Sequence, residues 1–179
     1  MWKRLDLTVG ALPDARRAVG KVVIVTGCNS PLGMGRATAH QFARNGALAV
    51  YICDYVDSYL GLHVEEMNEL YPNVHVHARH FDAGNEDGVK EVVDHAIKTY
   101  GRLDVFFANA ANSGTWKEVW NMKVDEFERT IRTNLTRYVG RDSISPQRIP
   151  EPYSAVACCQ LTKETVSFWQ SNMPVQPCK

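Results

Sequence analysis

The sequence lacks any long apolar run and any excess of charge of one sign. Lys plus Arg and Asp plus Glu are equal at 20 each, so no overall field favours nucleic acid or an anionic membrane. No stretch of the 179 residues approaches the length of a membrane span, and the first 20 hold no apolar segment typical of a signal peptide. The composition therefore predicts a cytoplasmic protein that binds neither nucleic acid nor membrane.

Paired cysteines and clustered metal ligands are also lacking. The five cysteines form no C-x-x-C pair, and Cys53 lies inside an apolar segment, where a reduced thiol behaves as a small hydrophobic group. Because nothing here demands disulfides, a reducing compartment fits best. His75 and His77 alternate along one predicted strand, but no cysteine or carboxylate stands nearby at ligand spacing. We therefore predict no metal site.

Residues 22–54 hold the most informative pattern in the chain. Val22–Val25 is an apolar, β-branched run without polar alternation, which is typical of a strand buried on both faces. A glycine-rich loop follows, and residues 36–44 then continue without Gly or Pro and carry an apolar stripe at helical spacing. A second apolar run ends at Asp54. This order predicts a strand, a phosphate-binding turn, a helix and a parallel strand, which together form a dinucleotide-binding unit.

The predicted chemistry of this unit follows from its geometry. Backbone N–H groups at a helix start attract a pyrophosphate, and glycines allow the backbone to come close to it. Asp54 lies 19 residues after Gly35, about where an acidic residue meets a ribose 2′-hydroxyl. A carboxylate there repels a 2′-phosphate, and the following residues 55–57 include no Arg or Lys. We therefore expect NAD to be preferred to NADP.

The loop resembles the T-G-x-x-x-G-x-G fingerprint of the short-chain dehydrogenase/reductase family. Thr26-Gly27 and Gly33-x-Gly35 match, although five residues separate Gly27 from Gly33 where the fingerprint has three. The longer loop is similar to a variant found in fungal members. The resemblance implies a nicotinamide cofactor bound by a set of residues in and around this unit: Gly27, Asn29, Gly33, Met34, Gly35 and Asp54.

Further along the chain, predicted strands and helices alternate. Apolar spacing predicts helices over 58–70, 86–100 and 123–137 and strands over 74–81 and 103–107. Alternation of this kind predicts an α/β fold with a doubly wound parallel sheet of the Rossmann type. We assign this domain to residues 21–137, after an N-terminal extension at residues 1–20.

Two polar residues follow predicted strands within this domain. The resemblance places Asp82 at the adenine ring of the cofactor, while its residue type alone predicts a turn or a helix N-cap. Asn109 lies in Phe107–Ala111, which resembles the family motif N-N-A-G with Ala at the first and last positions. It is either part of the cofactor crevice or an ordinary polar loop residue.

The candidate catalytic residues are Asn134 and Tyr153. Asn134 falls within a predicted helix, where Asn is unfavourable. The resemblance implies that its backbone holds a water of the proton relay. The alternative is an exposed Asn in the middle of a helix. Residues 153–157 resemble the family motif Y-S-A-S-K, but Ala157 stands where the motif has Lys. That Lys lowers the pKa of the family's tyrosine, so its replacement predicts an incomplete catalytic centre.

Residues 138–179 form a divergent tail. Five of the eight prolines fall in the last 42 residues, which predicts loop, with one weak helix over 153–170. Only 19 positions separate Asn134 from Tyr153, too few for the family's fifth strand and the helix end before it. The sheet is therefore predicted to be incomplete in its C-terminal half, with its fourth strand left as a bare edge.

The family function implied by the resemblance is hydride transfer between a nicotinamide cofactor and a small carbonyl or alcohol substrate. One alternative is a dinucleotide-binding module without catalysis. Another is the product of a broken reading frame that does not fold stably. The resemblance also allows a homo-oligomer. The missing Lys keeps all of these interpretations open.

Overall fold

The fold is a parallel sheet whose strands alternate with helices. The computed structural model describes residues 17–112, 114 and 119–134, and the backbone of residues 156–158. In chain order the elements are β1 (Val22–Thr26), α1 (Met34–Arg44), β2 (Ala49–Asp54), α2 (Leu60–Leu70), β3 (His75–His80), α3 (Glu86–Tyr100), β4 (Val105–Ala108), a 3₁₀ turn (Val119–Asn121), α4 (Val124–Asn134) and β5 (Val156–Cys158). The strand order is β3-β2-β1-β4-β5, and every neighbouring pair is parallel. The predicted α/β fold is confirmed.

The two central strands are buried on both faces, as their apolar runs predict. β1 pairs with β2 from Val22↔Ala49 to Thr26↔Cys53, and all five residues of β1 are buried. Val22 and Ile24 pack on one face in a cluster with residues of α3, whereas Val23 and Val25 pack on the other with residues of α1 and α2. Successive side chains of a strand point to opposite faces of the sheet. A strand with a hydrophobic core on both faces therefore needs an apolar residue at every position.

The ends of the helices follow local signals in some places and distant contacts in others. α3 spans the predicted residues because Asn85 caps its start and Gly101, with φ of 72°, ends it in the left-handed region. α2 begins at Leu60 rather than at residue 58; Tyr59 is its N-cap residue, and the N–H of Tyr59 donates to the distant Asn29. None of the helices in the described part of the chain is long and apolar enough to cross a membrane.

The prediction of a helix over residues 153–170 is wrong at its N-terminal part. Val156–Cys158 forms β5, which pairs with β4 in parallel from Phe106↔Val156 to Ala108↔Cys158. A strand at the edge of a sheet leaves a row of backbone groups without partners, and the backbone of Val156–Cys158 satisfies those of β4. The expectation that β4 is a bare edge is therefore wrong too. The expectation that the segment between Asn134 and Tyr153 is too short for the family's fifth strand concerns residues outside the described part of the chain, since β5 follows Tyr153 in the sequence. The rest of the predicted tail helix lies outside the described residues.

Candidate functional site

A cleft of about 670 Å³ opens at the carboxyl ends of β1, β2 and β4. In parallel sheets, this is where loops following neighbouring strands meet, on either side of the point where strand order reverses. The lining residues come from the carboxyl ends of β1 and β2, the loops after four strands, the start of α1, and α4: Thr26, Gly27, Ser30, Gly33, Met34, Cys53, Asp54, Tyr55, Val56, Phe81, Asp82, Ala83, Asn109, Ala110, Ala111, Asn112, Arg129 and Thr133. Of the residues predicted to bind cofactor, all except Asn29 and Gly35 are in this set.

The N-terminus of α1 faces the cleft without a side-chain cap. Gly33 is the N-cap residue, with extended φ and ψ of −79° and 151°, and the first turn of α1 contains no acidic residue. α3 differs, because Asn85 accepts from the N–H of Asp87 and two acidic side chains occupy its first turn. The backbone N–H groups at the start of α1 and the positive end of its dipole are thus suited to an external anion.

The glycines of the loop are required by close backbone packing. A Cβ on Gly35 would lie 2.2 Å from the carbonyl oxygen of Gly27, which is far inside van der Waals contact. Gly27 has φ of +76°, and a Cβ there would lie 2.7 Å from the Cα of Ala110. A Cβ on Gly33 would be 3.0 Å from that of Ser30, a tighter fit than usual that a small loop shift relieves. The loop is thus a narrow backbone cradle beside the end of β1.

Asp54 presents a carboxylate held in one orientation at the end of β2. Its Oδ2 accepts from the backbone N–H of Asn29 at 2.8 Å, and its Oδ1 accepts from that of Val56 at 3.1 Å. A carboxylate with two oxygens has about four acceptor positions, so these bonds leave acceptor capacity for a ligand hydroxyl. The arrangement fits the predicted role in binding a ribose.

Asn29 lies outside the lining of the cleft. Its side-chain Oδ1 accepts from the N–H of Tyr59 at 2.8 Å, and its Nδ2 lies 3.4 Å from the hydroxyl of Ser58, so the amide faces the start of α2. Its backbone N–H supports Asp54 instead. Asn29 is therefore placed to position the carboxylate and not to contact a ligand with its side chain.

Asp82 lines the cleft and shapes the turn that follows β3. Its Oδ1 accepts from the N–H of Gly84 at 2.7 Å, and its carbonyl accepts from the N–H of Asn85 at 2.8 Å. The turn interpretation is confirmed by these bonds. The N-cap interpretation is wrong, because Asn85 caps α3.

Asn109 joins the end of β4 to the glycine-rich loop. Its Nδ2 donates to the carbonyl of Thr26 at 3.0 Å and to that of Gly27 at 3.3 Å. The N–H of Ala110 donates to the hydroxyl of Thr26 at 3.0 Å. The side chain of Asn109 thus fixes the distance between two walls of the cleft, which is more than the role of an ordinary loop residue.

The side chain of Asn134 anchors α4 to the segment after β4. Its Oδ1 accepts from the N–H of Asn112 at 2.8 Å, and its Nδ2 donates to the carbonyl of the same residue at 2.7 Å. Asn134 is partly buried and its side chain is bonded to Asn112, so the interpretation as an exposed helical Asn is wrong. The other candidate catalytic residue, Tyr153, lies outside the described residues.

Several lining residues escape the sequence-based prediction. Arg129 and Thr133 of α4 line the cleft. They are four residues apart and so share one face of the helix, which is the sequence pattern from which the pair could have been predicted. Tyr55 and Val56 line it as well and could be found as the residues directly after Asp54.

The two described cysteines are not suited to nucleophilic chemistry. Burial raises the pKa of the Cys28 thiol to about 12, with the Asp54 carboxylate adding to the shift against a backbone hydrogen bond from Cys53. Burial likewise raises the pKa of the Cys53 thiol well above its usual value. Because the thiolate is the reactive form, both cysteines are inert packing residues at neutral pH.

Comparisons with known proteins agree with this geometry. The family model described as short chain dehydrogenase matches residues 21–140. Over 124 residues the chain is 41% identical to secoisolariciresinol dehydrogenase of Forsythia intermedia, covering 68% of this chain and 42% of that protein. Momilactone A synthase of Oryza sativa subsp. japonica is 38% identical over 123 residues, again with 68% and 42% covered.

Solved structures share the fold as well. A xylitol dehydrogenase with NAD⁺ bound superposes with a TM-score of 0.60 and 28% identity, over 68% of this chain and 45% of that one. Levodione reductase has a TM-score of 0.62 and 30% identity, over 68% and 46%. The chain spans less than half the length of these relatives. Family model, sequence relatives and fold agree, and the chain belongs to the short-chain dehydrogenase family, whose members use nicotinamide cofactors.

Proposed function

We propose that this chain binds a nicotinamide dinucleotide in the cleft and serves hydride transfer between that cofactor and a small carbonyl or alcohol substrate. The observation that carries the proposal is the pairing of an uncapped helix start at Gly33 with the oriented carboxylate of Asp54 in one cleft. Relatives named as dehydrogenases and a reductase support the substrate class. When bound, the nicotinamide ring supplies a carbon that accepts or donates a hydride.

The residues present fit such a cofactor from one end to the other. Gly27 and Gly33, which line the cleft, would lie against the pyrophosphate, and Gly35 would allow the start of α1 to pack closely on the backbone of Gly27. Asp54 would accept from the adenosine ribose, and Asp82 would lie at the adenine ring. Asn109, with its side chain committed to the loop, would keep the wall at the nicotinamide side in place. Met34 is 73% exposed beside the cradle, where it would cover the bound phosphates.

NAD is proposed as the preferred cofactor because, among the described residues, no basic side chain lies beside Asp54 to bind the 2′-phosphate of NADP. Arg36, which follows the cradle in sequence, directs its guanidinium to Pro31 and Glu66. The basic side chain among the described lining residues, Arg129, comes from α4. Asp54 itself repels a 2′-phosphate.

A direct titration with NAD and NADP tests cofactor binding and preference together. We expect NAD to bind at least about tenfold more tightly, since a like charge at hydrogen-bond distance costs more than about 1 kcal/mol. Asp54→Asn should reduce the difference between the affinities for NAD and NADP. Asp57 is a nearby exposed carboxylate that does not line the cleft, so Asp57→Asn should leave that difference unchanged. Tighter binding of NADP by the unmodified protein would overturn the proposed preference, and binding of neither dinucleotide would overturn the proposed function.

A dinucleotide-binding module without catalysis is the second candidate, and one observation favours it. Ala157 lies in β5 opposite Phe107, so residue 157 belongs to the sheet and not to a helix in which it would follow Tyr153 by one turn. The family motif places its Lys one helical turn after the Tyr, and the strand conformation at residue 157 does not provide that helical spacing. The role implied for the backbone of Asn134, holding a relay water, stays part of the catalytic proposal.

A further inference from the structure

Loop 28–33, the glycine-rich segment from Cys28 to Gly33, is fastened to α2 as well as to α1. Asn29 accepts from the N–H of Tyr59 at 2.8 Å through its side chain, and its carbonyl accepts from Nε2 of His63 at 3.0 Å. Both partners belong to the start of α2, one turn apart. The loop is longer than the family fingerprint by two residues, and these bonds hold the part that contains the extra length.

An ion pair with a buried guanidinium and a partly buried carboxylate provides a further attachment of the same loop. Nη1 of Arg36 donates to the carbonyl of Pro31 at 3.0 Å, and Nη2 donates to Oε2 of Glu66 on α2. Arg36 is only 7% exposed, and the Glu66 side chain is 28% exposed. A guanidinium this far from water needs its acceptors, because a buried charge without a partner is strongly unfavourable. Arg36 therefore ties α1, the loop and α2 together.

The loop transmits this attachment to the ligand-binding groups. Two residues before Pro31, the N–H of Asn29 donates to Oδ2 of Asp54. Two residues after it, Gly33 is the N-cap residue of α1 and forms part of the cradle. The position of Pro31 thus influences both the carboxylate and the cradle, although neither Arg36 nor Glu66 lines the cleft.

We propose that the Arg36–Glu66 ion pair is a positioning device that preorganises loop 28–33 for the adenosine diphosphate half of the cofactor. The inference rests on the proposed cofactor function and extends it to two residues that do not contact the ligand. Without the pair, the loop samples other positions in the free protein, and binding must then include the cost of ordering it. The nicotinamide half lies beyond the part of the site that this loop shapes.

The test is a set of variants titrated with NAD, ADP and nicotinamide mononucleotide, with thermal unfolding recorded for each. Glu66→Gln keeps a neutral acceptor for Arg36 and should fold. We expect it to weaken NAD and ADP equally, by about tenfold, because a charge-assisted hydrogen bond is replaced by a neutral one. Affinity for nicotinamide mononucleotide should change less than about twofold. Arg36→Lys, which cannot reach both acceptors at once, should behave in the same way.

A double variant and a matched control sharpen the result. Arg36→Gln combined with Glu66→Gln should bind NAD no more weakly than the worse of Arg36→Gln and Glu66→Gln measured singly, because the effects of residues that act as one pair are not additive. Asp94→Asn removes an exposed ion pair with Lys90 on α3, away from the loop, and should leave all three affinities unchanged.

Three outcomes would overturn the inference: an unchanged ADP affinity in Glu66→Gln, equal losses for ADP and nicotinamide mononucleotide, or additive losses in the double variant. Each requires that the unmodified protein binds NAD. Absence of NAD binding by the unmodified protein would instead overturn the proposed function, so the two failures are distinguishable.

Discussion

Asp104 is the residue that joins the ends of β1 and β4 opposite the cleft. Its carboxylate accepts from Nζ of Lys21 at 3.0 Å, from the N–H of Val22 at 2.9 Å, and from Nε of Arg102 at 2.8 Å, with a further bond from Nη2 of Arg102. Burial opposes its ionisation, but the hydrogen bonds from Arg102, Val22 and Lys21 outweigh burial and hold the pKa below its usual range. The ionised form is therefore the one that stabilises the fold.

Replacement of this carboxylate should lower stability in a pH-dependent way. Asp104→Asn is expected to reduce the free energy of unfolding at pH 7 by about 2–3 kcal/mol, since charged donors lose their charged acceptor. Because the pKa is lowered in the folded state, the contribution is present above about pH 4 and disappears as the pH falls below it. Urea unfolding at pH 7 and pH 3 measures this.

The control for Asp104 is Asp94→Asn, which breaks an exposed pair with Lys90. It should change the free energy of unfolding by about 0.5 kcal/mol or less. Equal losses in the two variants at pH 7 would contradict the role given to Asp104.

His40 is a buried histidine whose neutral form is required by its surroundings. It is 1% exposed, and burial, reinforced by the positive charge of Arg36 against the opposing charge of Glu66, lowers its pKa to about 4. Its Nε2 has no hydrogen-bond partner among the described residues. Protonation would place a charge in the core between α1 and α2.

Acidification should destabilise the protein through His40 before most carboxylates titrate. Between about pH 6.5 and pH 4, His40 is protonated in the unfolded chain but neutral in the folded protein. The free energy of unfolding therefore falls by up to about 1.4 kcal/mol for each pH unit of acidification. His63 also has a lowered pKa, chiefly because of burial, and acts in the same direction. Chemical unfolding of His40→Leu between pH 6.5 and 5 should show a reduced slope. An unaltered slope would contradict the prediction.

At the scale of elements, the contact between α1 and the end of β1 depends on Gly35. In Gly35→Ala the new methyl would meet the backbone carbonyl of Gly27, which cannot move without disturbing β1. We expect a loss of about 1–3 kcal/mol in unfolding free energy together with loss of NAD binding. Denaturant unfolding and a cofactor titration measure the two effects.

Gly61 of α2 is the matched glycine for this comparison. A Cβ there would meet nothing within 4 Å, so Gly61→Ala should raise stability by roughly 0.5–1 kcal/mol through helix propensity. If Gly35→Ala were as stable as Gly61→Ala, the close packing of α1 against the end of β1 would not be essential.

For the molecule as a whole, we expect slow turnover even with NAD bound. An unassisted tyrosine has a pKa near 10 and is a weak base at neutral pH, and general acid–base catalysis contributes about 10²–10⁴-fold. Residue 157, where the family motif has Lys, is an alanine in β5. Oxidation of NADH with a panel of small ketones and quinones should therefore be slow, and Tyr153→Phe should leave the rate unchanged.

A control in α3 makes this outcome specific. Tyr100 bonds to His77 at 2.6 Å and does not line the cleft, so Tyr100→Phe tests the effect of removing a hydroxyl elsewhere. Rates typical of the family that vanish in Tyr153→Phe but persist in Tyr100→Phe would show an intact proton relay.

The elements that local rules control could be predicted from the amino-acid sequence. The unbroken apolar runs of β1 and β2, the end of α3 at Gly101 and the position of Asp54 after its strand follow from strand burial, backbone chirality and chain length. These constraints act within a few residues and need no knowledge of partners, so the α/β fold and the cofactor cleft could be predicted.

The contacts that join distant segments could not be predicted and are visible only in the folded chain. Asn134 meets Asn112 across 22 residues, and Arg36 meets Glu66 across 30. Nothing in the local sequence names either partner. β5 also depends on such a contact, because Val156–Cys158 becomes a strand by pairing with β4. Local propensity is weak compared with the free energy gained when an exposed sheet edge finds hydrogen-bond partners, so the final pairing depends on which segments meet in space.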